Sequence, residues 1–258
     1  MTRRFKAQVY ILFLISFIFA QSLWAQSEEK SLIDEDPVFL FGLDYGFNLP
    51  GGDFAENYGL NLELGSKLSY MLKNNNLHFG IKASYIFGDT VKQDVIENLR
   101  DANGFVIGVN GTYAQVKLRQ RGYEVGAFVS KIFPLSKKNF RSGIRIDLGV
   151  NYLRHWIRLQ DDFNTIAQFN DPYDKGYDRL TSGWAINEFI GYHYMSKNRK
   201  LNFYGGFDLV QGFTTGKREY DYATKSQWLD KRLDLLYGFK VGLILPIFME
   251  ARPDEIFY

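Results

Sequence analysis

Residues 233–245 read LDLLYGFKVGLIL. The odd positions are Leu233, Leu235, Tyr237, Phe239, Val241, Leu243 and Leu245, and all are apolar or aromatic. The even positions are Asp234, Leu236, Gly238, Lys240, Gly242 and Ile244, a mixed face of charges, glycines and aliphatics. Successive side chains of a strand point to opposite faces, so the odd face is a continuous greasy ladder. A soluble sheet would bury such a face under a second layer. No helical pattern supplies that layer, and the same alternation recurs about eight times. These observations predict a closed barrel whose apolar outside meets lipid.

The eight segments run over about 38–49, 58–72, 76–88, 113–133, 142–159, 180–195, 201–215 and 231–247. The connections alternate in length. Those near Lys73–Asn75, Pro134–Arg141 and Ser196–Lys200 are short. Those at 89–112, 160–179 and 216–230 are long, and only the first outer loop, Pro50–Asn57, is brief. Short turns at one end and long loops at the other predict an up-and-down transmembrane barrel with periplasmic turns and extracellular loops. Aromatic content of 17% suits the two girdles of such a barrel.

On these segments, residues 38–247, the chain resembles the small eight-stranded outer-membrane barrels of the OmpX/OmpA-barrel type, Bacteroidota-like. The resemblance rests on pattern rather than on a diagnostic motif. It implies an all-β fold in the outer membrane of a Gram-negative bacterium and transfers no activity.

The flanks agree with that address. Arg3, Arg4 and Lys6 precede an apolar stretch from Val9 to Ala20, which predicts a signal peptide over 1–25. Removing it takes away three bases and leaves 28 bases against 29 acids, a balance that gives no indication of nucleic acid. Residues 26–37 read as a periplasmic lead-in and 248–258 as a periplasmic tail beyond the barrel. The assembly signal then falls inside the chain, around Tyr237 to Leu245. The chain has no cysteine, so disulfides and thiol chemistry are excluded.

The inward parity carries Asp44, Glu63, Glu124, Asp147, Asp208 and Asp234 against Lys67, Lys82, Arg145, Arg232 and Lys240. Six acids against five bases predict a paired polar plug, since a selective pore would show a surplus of one sign. The fourth and fifth strands exceed the roughly 9–11 residues of a crossing and should project outside. Facing residues summing to about 275 set Tyr123 opposite Tyr152, Arg121 opposite Arg154, Arg119 opposite Trp156, and Lys117 opposite Arg158. A basic ladder of Lys117, Arg119, Arg121, Arg154, Trp156 and Arg158 fits phosphates of lipopolysaccharide. Val116, Leu118, Ile157 and Leu159, on the inner parity, call for outer loops folded over the barrel mouth.

Glu188 breaks the outward pattern of the sixth strand, and a carboxylate facing lipid is costly. Either a β-bulge turns it inward or Glu188 and Gln211 mark contact with another membrane protein. The sequence holds three histidines, His78, His155 and His193, without a readable serine–acid arrangement. The aspartate-rich loop Asp161–Asp178 misses the calcium-loop pattern, with Tyr173 and Lys175 at ligand positions. Phe163, Phe169, Tyr173 and Tyr177 suit packing within that loop. A short helix is expected within Thr90–Arg100.

These readings assign no catalytic residue, no metal and no cofactor. The expected function is a non-enzymatic structural or surface-binding barrel in contact with outer-membrane lipid and lipopolysaccharide. An accessory subunit of an outer-membrane assembly or secretion complex, touching an outer-membrane or periplasmic protein, is the alternative. A lipid-modifying enzyme is the second alternative.

Overall fold

A computed structural model of the chain describes residues 37–248, apart from 74, 110, 138, 163, 164 and 197–201. The expectations for the signal peptide, most of the lead-in, the C-terminal tail and Phe163 lie outside the described residues.

Eight long strands follow the eight alternating segments closely. They are β1 Val38–Gly52, β2 Asn61–Met71, β3 Leu77–Gly88, β4 Val116–Ser136, β5 Asn139–Asp161, β6 Thr181–Met195, β7 Asn202–Gly216 and β8 Lys231–Phe248. Each pairs antiparallel with its neighbours in sequence, and β1 pairs with β8 to close the ring. The fold is therefore an all-β, eight-stranded antiparallel barrel. Closure matters physically because an open edge would leave a row of unpaired N–H and C=O groups.

The closing seam shows how parity sorts the side chains. Leu43 faces Leu243 and Tyr45 faces Val241 on the outside, while Asp44 faces Gly242 and Gly46 faces Lys240 on the inside. Glycine is needed opposite the long inner side chains. A Cβ on Gly46 would come within 2.7 Å of the Lys240 stem, and one on Gly65 within 2.4 Å of the Asp44 carboxylate.

The outer surface is an apolar band. Leu43, Leu64, Ile81, Val150, Phe207 and Leu243 are exposed on it. Aromatic side chains collect at its two ends. Towards the long loops lie Tyr85, Tyr123, Tyr152, Trp156 and Trp184, with Tyr152 and Trp184 rings 6.1 Å apart. Towards the short turns lie Phe39, Tyr70, Phe79, Tyr194 and Phe203. From Trp184 to Tyr192, on one strand, eight residues at about 3.4 Å and a tilt near 40° give roughly 21 Å between girdles. No helix is long and apolar enough to cross a membrane, which says nothing of strands.

The interior is filled in three layers. Near the short turns Val38, Leu40, Met71, Ile132, Phe189, Met195, Tyr204 and Ile244 form an apolar floor. The charged residues lie above it. Towards the long-loop end, a second apolar cluster gathers Ile86, Leu153, Val210 and Leu236 from the barrel wall with Phe54, Tyr58, Val95, Ile96, Ile166 and Tyr177 from the loops. Val116 and Ile157 are buried in it and Leu118 and Leu159 pack against it, so the loops do fold over the mouth. The first loop enters through the single turn α1 Phe54–Asn57, whose Phe54 packs against His155.

The loops differ from their sequence expectation in detail. The expected helix within Thr90–Arg100 is only a 3-10 turn at Glu97–Leu99. Small hairpins form at Val106–Ile107 with Tyr113–Ala114 and at Arg218–Asp221 with Ser226–Trp228. Pieces this short carry no periodic signal.

The register of β4 on β5 also differs. Ser136 faces Asn139 at the turn, as a sum of 275 requires, but Pro134 faces Gly143. One residue of β4, Leu135, is thus set against three of β5, 140–142, beside a proline that has no N–H to give the ladder. Every pair above is shifted by two, and parity is preserved. Between β6 and β7 the expected register holds, with Tyr192 facing Gly205 and Glu188 facing Leu209.

Candidate functional site

The inward charges meet in a connected layer. Lys240 Nζ lies 2.7 Å from Glu63 and 2.8 Å from Asp208. Lys82 Nζ lies 2.8 Å from Glu124 and donates to Asn187 Oδ1 at 2.8 Å. Asn187 in turn donates to Asp208 at 2.8 Å. Arg145 grips Asp147 with two hydrogen bonds of 2.7 Å. Lys67 stands 3.8 Å from Asp44, which also accepts from the Tyr204 hydroxyl at 2.6 Å. Unpaired charge in such surroundings would cost several kcal/mol per ion, so the pairing is what makes the layer tolerable. The void between Lys67, Arg145 and Tyr204 measures about 10 Å³, room for about one water.

Charge parity missed the neutral members of this layer. Asn48 donates to Glu63 and to Asn61 at 3.1 Å, Asn151 donates to Glu124, and Ser130 donates to Asp147. All share the inward parity, which was the available signal.

Arg232 and Asp234 lie higher than the rest. The Arg232 guanidinium is 3.4 Å from Asp234 and donates to the Asp53 carbonyl at 2.5 Å, so it ties the first loop to β8. Asp234 also accepts from His155 Nε2 at 2.9 Å and from the Thr214 hydroxyl at 2.5 Å. His155 Nδ1 faces the Tyr58 hydroxyl at 3.4 Å. Burial, with Asp234 nearby, pushes the Tyr58 phenol well above its ordinary range. Among the described residues this histidine has an acid and a phenol in reach but no serine, and it is buried with Asp234 under Phe54. Among the described residues, no group of three or more histidines or carboxylates is placed to hold a metal.

The loops are locked to one another above this point. Arg179 donates to Asp221 at 2.9 Å, reaches Asn57 at 3.4 Å, contacts Gln93, and lies 4.7 Å over the Trp228 ring. It therefore ties three other loops to its own. Arg218 pairs with Asp178, and those hydrogen bonds hold its guanidinium above the usual range. Burial, then Tyr222, raises the Tyr177 phenol. Sequence reading expected Tyr177 to pack within its loop, where its ring lies 6.4 Å from that of Phe169, but assigned no role to Arg179 or Arg218.

The basic ladder stands on the outward face of β4 and β5, but its rungs are re-paired. Tyr123 faces Arg154, Arg121 faces Trp156, Arg119 faces Arg158, and Lys117 faces Gln160. Arg121 and Arg154 are diagonal neighbours rather than opposite. Arg119 is bound to Asp89, and Lys117 is 3.9 Å from Asp162. Arg121 donates to the Gln120 and Gly88 carbonyls, at 2.6 and 3.4 Å, and Arg154 lies over the Tyr123 ring. Arg121, Arg154 and exposed Arg158 have no carboxylate partner among the described residues.

Glu188 keeps the outward parity. The β5–β6 and β6–β7 ladders run through it without a bulge, with Leu148 on one side and Leu209 on the other. The inward-turned alternative is thereby removed. Gln211 shares the outward parity but is covered, with 8% of its surface exposed.

No family model matches the sequence, and no curated relative does. Several solved structures are similar. Ail, the attachment invasion locus protein of Yersinia pestis, is 10% identical, with 81% of this chain and 99% of that chain covered at a TM-score of 0.41. A major outer membrane protein from Thermus thermophilus is 10% identical, with 80% and 98% covered at 0.44. The transport unit of the autotransporter AIDA-I from Escherichia coli is 8% identical, with 92% and 97% covered at 0.36. These neighbours are bacterial outer-membrane or transport barrels. The barrel assignment itself rests on the closed ring of hydrogen bonds and on the outward apolar band.

Proposed function

We propose that this chain is a non-enzymatic integral outer-membrane barrel, closed to solutes, that stabilises the membrane and presents its loop cap at the cell surface. The filled interior carries this reading. A paired ionic layer lies between an apolar floor and an apolar loop cap, and the void lined by Lys67 and Arg145 is of water size. An apolar band between two aromatic girdles has lipid as its natural solvent. Lipopolysaccharide contact belongs to the same reading, at Arg121, Arg154, Trp156 and Arg158, with Lys117 and Arg119 at its upper edge. Planar-bilayer recording of the purified barrel tests the closed interior. The expected trace has no stable single-channel steps, and large reproducible steps would overturn it.

Glu188 supports a second reading, an accessory subunit of an outer-membrane complex. Its carboxylate stays on the lipid-facing side, where solvation by hydrocarbon is poor. A photo-crosslinking side chain at position 188 should then yield one discrete adduct in native membranes. Normal folding without an adduct leaves the first reading alone.

A further inference from the structure

His78 and His193 approach each other across the floor of the barrel, from β3 and β6. Their ring centres are 6.4 Å apart, and both residues are fully buried. His78 Nδ1 has the Ser69 hydroxyl at 3.2 Å. The other three ring nitrogens, His78 Nε2 and both of His193, have no hydrogen-bond partner among the described residues. Buried polar atoms are nearly always satisfied, and those that are not call for a missing water or ion.

The surroundings select which. Met71 is the direct cross-strand neighbour of His78 on the inner face, and Met195 follows His193 by two residues on the same face. Both thioethers belong to the buried floor. Two of the three histidines and two of the four methionines of the chain thus gather in one small volume. Among the described residues no free carboxylate joins them, because Asp147 is held by Arg145 and Asp44 by Lys67 and Tyr204. Arg145 and Lys67 stand nearby, each paired with a carboxylate. Imidazole and thioether donors without hard oxygens favour a soft ion over magnesium or calcium. With about 2.0 Å from metal to nitrogen and roughly 1.1 Å from nitrogen to ring centre, two imidazoles on one linear ion lie about 6 Å apart between centres.

The geometry points to a binding site for one soft monovalent cation, Cu(I) or Ag(I), held by His78 and His193, with Met71 and Met195 in the same buried floor. Such an ion needs few ligands and no water, which suits an apolar floor.

Ag(I), which needs no reductant, is the direct probe. The folded full-length barrel in chloride-free detergent solution should take up one equivalent, and its thermal unfolding should shift upward. Replacing both histidines, His78→Gln with His193→Gln, should abolish that stoichiometric site. Absence of uptake by the folded native chain would overturn the proposal and leave an interior water between the rings. Equal uptake by the folded double variant would overturn it as well. Should the variant not fold, X-ray absorption of the loaded native chain decides. Two nitrogen neighbours in the first shell of the ion support the site, and sulfur or oxygen neighbours alone overturn it.

Discussion

His155 Nε2 lies 2.9 Å from Asp234 Oδ2, and neither residue meets solvent. The contact joins β5 to β8 directly beneath Tyr58 of the first loop. Asp234→Ala would strand His155, the Thr214 hydroxyl and Arg232 around an empty position. Removing one member of such a buried pair costs about 3–5 kcal/mol. Asp234→Asn keeps an acceptor and should cost less. Denaturant unfolding of the barrel in lipid vesicles, read by tryptophan fluorescence, should rank the native chain above Asp234→Asn and Asp234→Ala last.

Alkali should open the cap. Burial raises the Tyr58 phenol above its ordinary value, so the folded cap keeps that proton where an opened one would shed it. Stability falls with rising pH wherever the folded state binds more protons. The stabilisation is complete below the ordinary tyrosine value near 10 and declines above it. Limited proteolysis of the outer loops should therefore accelerate between about pH 10 and 11. Tyr58→Phe should flatten that dependence, although it forfeits the weak contact with His155.

Arg179 makes the cap one unit, and it does so from an unusual backbone. Its φ is +47°, a left-handed conformation that costs a non-glycine residue about 1–2 kcal/mol. Contacts to Asp221, Gln93, Asn57 and the Trp228 ring hold it there. Arg179→Ala should loosen the three loops it contacts and leave Asp221 buried without its cation. Arg179→Gly also loses those contacts but relieves the strain, so it should be the milder lesion by about 1 kcal/mol. Arg179→Lys should rescue poorly, because one ammonium cannot reproduce a planar fork and its ring stacking. Amide exchange measured separately in each loop distinguishes these outcomes.

Strand alternation made the barrel legible because each strand has a greasy and a polar face along its whole length, as in Leu233 to Leu245. The inner charges followed from the same parity. What escaped was set by other physics. The two-residue slip of β4 on β5 arises at Pro134, where a missing N–H disrupts the ladder, and an alternating pattern is unchanged by a shift of two. The loop lock escaped because Arg179, Asp221 and Gln93 are far apart in sequence and obey no period. The imidazole pair escaped for a similar reason. His78 and His193 share an inward parity with many residues, and only the ring closure brings β3 across from β6.

The slip at Pro134 also sharpens where an anion would sit. In the observed register Arg121 and Arg154 are diagonal, each beside an aromatic ring, while Arg119 and Lys117 already have Asp89 and Asp162. A phosphate added at Arg119 must compete with a carboxylate, whereas one at Arg121 or Arg154 competes only with carbonyls and a phenol. The ladder should therefore respond unevenly. Charge reversal at Arg121 and Arg154 should strip most of the lipopolysaccharide that co-purifies with the barrel, and Arg158→Glu should strip part of it. Reversal at Lys117 should have little effect. Because charge-assisted contacts at an exposed site are screened, raising salt during extraction should imitate the double reversal in the native chain. Lipid phosphate per folded barrel is the measurement. Equal losses from every rung, or none from any, would show that the ladder is ordinary surface charge.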